Sequence, residues 1–390
     1  MTVNLKNADN ALKSYYLDAV SQQLNLGINP FFAQIKHSTE DVYGKEVRKL
    51  VIHGVNSGVR AGTEDGDLPE AMGNQYAQFV TTLKNFYGVI EITDKAIRAS
   101  ESNAGAFVSL LNAEMEGLIN SSTYNFGRML FGDGRGLLAK MSISPVDDNG
   151  YIKVDTTASL VEGQKIVLCD FMDQLIDTDE IKIVDVDRNA SKIKINIEAP
   201  SALSEGGYIR TTDAMEELTG LGAIFSHKGL LYGLDRNENK WLSPIVKENQ
   251  GKITELDIQK VLDKIEEAGG SSANFIVCSW GVRRALQQLF SENRRSVDTI
   301  ELSGGYKAMS YNGIPIVADR FCPAGTMYIL NTNDFVLHQL CDWQWLSGDD
   351  GSVLKQVPGK AIYTATLVKY ADLMCSRPFA QGMISGITEA

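Results

Sequence analysis

The chain has four histidines, His37, His53, His227 and His338, and no two of them stand at the H-E-x-x-H spacing or another spacing that holds a metal. No G-x-S-x-G is present to seat a hydrolase nucleophile. The glycine-rich run Phe131 to Gly136 (FGDGRG) would suit phosphate, but it follows a helical pattern and lacks the G-K-[ST] of a P-loop, so it reads as a helix-terminating turn. Asp235 to Asn239 (DRNEN) has part of a calcium-loop pattern without the glycine or the later acidic ligands. The acidic cluster Glu64, Asp65, Asp67 and Glu70 sits on a glycine-rich loop, which reads as a solvated or partner-facing patch and not as an acid and base fixed in a cleft. Trp343 and Trp345 alternate as packing residues of a strand do. The residues therefore point to no catalytic group, no cofactor and no metal.

Composition narrows the class. Of 390 residues 44% are apolar and 22% charged, as in an ordinary folded protein. Lys+Arg 37 against Asp+Glu 49 leaves a net charge of -12, an acidic surface that repels phosphate. Tight nucleic-acid binding is not expected. The five cysteines are widely spaced without C-x-x-C, so buried, reduced thiols are expected instead of a disulfide frame. No signal peptide is read at the N-terminus, and no apolar run reaches the roughly 20 residues of a bilayer span.

The elements follow from periodicity. Leu12, Tyr15, Tyr16, Val20 and Leu24 predict a short helix, and GINPFFAQI an extended arm whose Phe31, Phe32 and Ile35 need cover from the same chain or from a neighbour. EVRKLVIHGV and YAQFVTTLKNFYGVIEIT predict a long hairpin with a loose acidic tip. Asn103 to Phe131 predicts one helix of roughly 40 Å. Residues 137–212 alternate in short runs such as EIKIVDVD and KIKINIE, a small antiparallel β-unit. From Met215 the pattern is mixed α/β, with Thr254 and Asp257 as a capping box opening DIQKVLDKIEEAGG.

This order, together with the phrases FYGVIEITDKAI, MLFGDGRG, ELTGLGAIFSHKGLLYGLDR, YNGIPIVADRFCPAGTMYILNTNDF and DWQWLSGDDGSVL, resembles the Hong Kong 97-like major capsid proteins of tailed bacteriophages. The resemblance covers residues 46–134 and 215–388. It implies an α+β capsid fold: an N-terminal arm over 1–45, an extended E-loop hairpin over 46–95, a P-domain with its spine helix over 96–136, an α/β A-domain over 213–340, and a return through both domains over 341–390. The β-rich insertion at 137–212 is absent from the smallest members. The function implied is self-assembly into an icosahedral head shell around phage double-stranded DNA, in the virion, after assembly in the host cytoplasm.

Implied partners are copies of the chain in hexamers and pentamers, a separate scaffolding protein, a portal and a decoration protein. Only weak, non-specific contact with DNA is expected, and none with a membrane. Phe31, Phe32, Ile35, Glu64, Asp65, Asp67 and Glu70 are the expected inter-subunit contacts. Some members cross-link through an E-loop lysine, but no lysine lies between Leu50 and Leu83, so none is expected here. The competing reading is a cytoplasmic α/β enzyme or small-molecule binding protein with a ligand at its strand ends.

Overall fold

A computed structural model describes residues 29–390 apart from 43, 55, 57, 60, 68–69, 71, 97–103, 148, 177–179, 201–202, 204, 213–215, 293–298, 302–306 and 348–352. The expected helix around Leu12 to Leu24 lies outside these residues.

The apolar period after Asn103 closes into one helix, Ala104–Phe131. The Gly132 amide bonds back to the Met129 carbonyl at 3.0 Å, and Gly134 and Gly136 take positive φ, so the glycine run turns the chain out of the helix. Met115, Ile119, Phe126 and Leu130 bury one side of the helix. They face a sheet whose middle strand is Ile362–Cys375. One edge of that strand pairs antiparallel with Phe335–Trp345, and the other with Lys84–Thr93. A strand from the first quarter of the chain thus joins one sheet with two from its C-terminal end.

The hairpin is shorter than the alternating pattern suggests. Its strands are Glu46–His53 and Gln75–Thr82, paired from Glu46↔Thr82 to His53↔Gln75. The run breaks at Leu83, and the remainder, Lys84–Thr93, leaves to join Ile362–Cys375. Both halves have strand composition, and only the distant partner decides where one ends.

A second layer is a seven-stranded mixed sheet built on Phe275–Cys278, with Ile314–Ala318 parallel on one side and Met327–Leu330 antiparallel on the other. Successive residues of Phe275–Cys278 serve opposite cores: Ile276 and Cys278 face the helices Glu255–Gly269 and Trp280–Glu292, while Phe275 and Val277 join the core of the long helix. The first of these helices opens on the expected capping box, with the Thr254 hydroxyl accepting from the Asp257 amide and Asp257 accepting from the Thr254 amide at 3.0 Å. Gly382–Ile387 returns from the far end of the chain to lie between Met327–Leu330 and Ile245–Gly251. A Cβ at Gly382 would stand 2.5 Å from a Val261 methyl, so only glycine lets the helix cross so closely.

Residues 137–211 form a closed antiparallel barrel of six strands. Gly207–Thr211 closes it by pairing with both Leu137–Val146 and Lys165–Asp170. The alternation read in the sequence places Ile181, Ile183, Ile193 and Ile195 in a core of its own.

The arm corrects one expectation. Phe31, Phe32 and Ile35 are 0%, 4% and 6% exposed within the single chain, so they need no neighbour to cover them. Phe31 packs edge-on to Phe335 at 5.5 Å and Phe32 edge-on to Phe126 at 5.4 Å. Lys36–Ser38 then adds a parallel strand to Val336–His338. These residues belong to the main core. Phe31→Ala should therefore destabilise the unassembled subunit by about 3–5 kcal/mol in a urea melt; an unchanged midpoint would contradict this placement.

Candidate assembly surfaces

The hairpin presents two unlike faces. Val47, Val51, Phe79 and Thr81 point inward and are buried, while Leu50, Ile52 and Tyr76 on the other face are 64%, 56% and 55% exposed. The inner face rests on the chain itself. Trp241 lies nearly parallel to His53 at 4.6 Å and to Phe79 at 5.9 Å, and the Val80 amide donates to the Tyr232 carbonyl at 3.0 Å. The Tyr232 hydroxyl donates to the Leu373 carbonyl at 3.2 Å and accepts from the Cys375 amide at 2.8 Å.

At the hairpin's base the Asp372 carboxylate, fully buried, accepts from the Thr81 hydroxyl, from the Thr219 amide at 2.8 Å and from the Thr219 hydroxyl at 3.1 Å. Burial raises its pKa, and these donors oppose the rise. Thr219 is held in place by its neighbour. A Cβ at Gly220 would fall 2.2 Å from the Met129 carbonyl, so glycine is required for the loop to cross the helix end. Beside it, Arg128 of the helix and Glu217 form a buried bidentate pair, with one bond at 2.9 Å.

Glu64, Asp65, Asp67 and Glu70 all lie exposed on the tip, as their glycine-rich setting suggests. Thr219, Tyr232 and Arg236 lie in the phrase ELTGLGAIFSHKGLLYGLDR, which assigned them no role, and Asp372 and Trp241 lie in no such phrase. Arg236 sits in the stretch with the partial calcium pattern, yet it is 1% exposed and donates to the Ala223 and Ile224 carbonyls. Its charge closes a helical turn. Among the described residues no cluster of His, Cys, Asp or Glu could hold a metal ion.

The cysteines are free; four are buried, and burial pushes the Cys278 thiol up to about 12. A groove of about 600 Å³ runs between the long helix, strand Lys84–Thr93 and the barrel. Ser121, Ser122, Asn125, Lys165 and Thr212 line it, and among the described residues no histidine or cysteine lines it.

Residues 181–349 match the family model described as SU10 major capsid protein. The solved cyanophage A-1(L) capsid subunit is similar in fold at 13% identity, covering 93% of this chain and 94% of that one with a TM-score of 0.58. The match over 181–349 and the shared fold together support reading this chain as a tailed-phage major capsid protein. The capsid of an empty GTA particle also resembles it, at 9% identity, 93% and 92% coverage and a TM-score of 0.50. No curated protein matches it in sequence. The family match and the shared fold support a structural subunit of a head shell. The surfaces that matter for such a role are those that could meet other subunits.

The hairpin's seat holds the buried titratable groups Asp372 and His338. His338 is 2% exposed, stands opposite Asp372 in the ladder, and neither ring nitrogen has a partner among the described residues. Burial and then Lys49 lower its pKa, with Asp41 opposing. The folded subunit holds it neutral, whereas the unfolded chain takes up a proton near ~6.5. Its contribution to stability is thus present above that pH and lost as pH falls below it, while the raised pKa of Asp372 acts in the opposite direction. His338→Leu should flatten the acid loss of subunit stability between about pH 6.5 and 5, measured by urea melts at each pH; parallel pH profiles for variant and parent would contradict it.

Proposed function

We propose that this head-shell subunit joins its neighbours through the hairpin Glu46–Thr82. One observation carries the reading: the hairpin's inner face is fixed on its own chain while Leu50, Ile52 and Tyr76 stand more than half exposed on the other face. A two-stranded ribbon with one apolar face in water is marginal alone. An adjacent subunit that covers this face removes the exposure.

In this reading residues 46–82 are the E-loop, Ala104–Phe131 is the spine helix of the P-domain, and the seven-stranded sheet is the A-domain. The C-terminal strands Ile362–Cys375 and Gly382–Ile387 return to the P- and A-domains in turn. The barrel is an insertion with its own core. Copies associate as hexamers and pentamers around a separate scaffolding protein in the host cytoplasm, with a portal at one vertex and a decoration protein outside. The net charge of -12 suits a wall that encloses DNA without gripping it, because few phosphate counterions are released on contact.

The tip carboxylates Glu64, Asp65, Asp67 and Glu70 would meet basic residues of the adjacent subunit. Exposed ion pairs contribute about 0–1 kcal/mol each and weaken with salt, so their effect comes from repetition around the shell. Replacing all four by Gln or Asn should leave the subunit folded while its shells dissociate at lower urea at low ionic strength, with the difference shrinking in high salt. Sedimentation of assembled particles reads this. Shells of unchanged resistance at low salt would contradict the tip contact.

A further inference from the structure

The barrel carries a feature that its own stability does not require. After strand Lys165–Asp170 the chain turns through Phe171, Met172, Asp173, Gln174 and Leu175, and the three apolar members are 47%, 66% and 65% exposed. Their neighbours Leu168 and Ile176 pack in the barrel core.

The turn is rigidly built. One Asp170 oxygen accepts from the Met172 amide at 2.9 Å and from the Gln174 amide at 2.8 Å, and the Asp170 amide donates to the Gln174 carbonyl at 2.9 Å. Leu175 bridges back to Cys169. Asp173 stands at φ 65, a conformation uncommon outside glycine.

What holds Asp173 there is Arg210, 4% exposed, which grips its carboxylate from Nε at 2.7 Å and from Nη2 at 2.9 Å, with Arg135 as a further ion-pair partner. Arg210 also donates to the Arg135 carbonyl at 2.8 Å and to Asp133 at 3.2 Å, in the turn that ends the long helix. Residues held in sparsely populated backbone regions cluster at functional sites. Here the buried arginine and the left-handed aspartate aim three apolar side chains at solvent.

We propose that Phe171, Met172 and Leu175 form a knob that seats on a second copy of the chain in the shell, an inference that rests on the capsid reading. The area argues for a copy and not for a free partner. The exposed parts of three such side chains amount to roughly 300 Å², whereas a stable pairwise complex buries about 800 Å² on each side. A contact that small holds only when it is repeated with others around a closed assembly. A shell of identical subunits provides that repetition.

The test uses the full chain expressed under conditions in which the parent assembles. Phe171→Ser, Met172→Ser and Leu175→Ser together should leave the melting of the unassembled subunit unchanged, because all three side chains are exposed, and should cut the yield of closed shells by about tenfold or more, counted by sedimentation and electron microscopy. A photo-crosslinking residue at Met172 should give a covalent dimer of this chain within shells. Failure of the parent to form shells would count against the capsid reading itself. Normal shells from the serine variant, or a crosslink in shells that joins a different protein or nothing, would overturn the knob alone. If the serine variant misfolds, the crosslink decides.

Discussion

A carboxylate with no access to water is costly unless its oxygens are saturated with donors, and Asp372 meets that requirement only if three distant pieces of chain converge. Thr81 comes from the hairpin, Thr219 from the loop beyond the barrel, and Asp372 from the strand near the C-terminus. Much of the topology follows from this convergence. Ile362–Cys375 runs between Lys84–Thr93 and Phe335–Trp345, and the Tyr232 hydroxyl bonds to the Leu373 carbonyl and the Cys375 amide.

Around that node the chain separates what it covers for itself from what it leaves open. The barrel closes on itself and so has no free strand edge. The arm's aromatic residues are absorbed by the main core. The exposed apolar side chains include those of the outer hairpin face and of the barrel's Asp173 turn, each tied to the body by hydrogen bonds. A subunit that must join many copies of itself needs such surfaces aimed before it meets a partner, because ordering them at the moment of contact would cost affinity.

The features legible in the sequence are those set by local physics. The period of the long helix, the Thr254 and Asp257 box, the barrel's alternation and the glycine-rich acidic tip each depend on residues a few places apart. Long-range pairing hid the rest. Nothing near Leu83 announces that the next strand belongs to Ile362–Cys375, and a buried Phe31 has the same local sequence as one covered by a neighbour. Asp372 and Arg210 look like ordinary strand charges until the fold supplies Thr81, Thr219 and Asp173. Function was legible from the order of elements and the family wording, and the fold similarity and the family match over 181–349 agree with it.

The central claim is that the Asp372 node seats the hairpin. Amide hydrogen exchange on the unassembled subunit carrying Asp372→Ala tests it most directly, since Thr81 and Thr219 would lose their acceptor while the barrel's separate core is untouched. Protection should fall in Gln75–Thr82 and in the loop around Thr219, and should persist in Ile181–Asp187 and Lys192–Ile195. Unchanged protection in Gln75–Thr82, or equal loss in hairpin and barrel, would contradict the account.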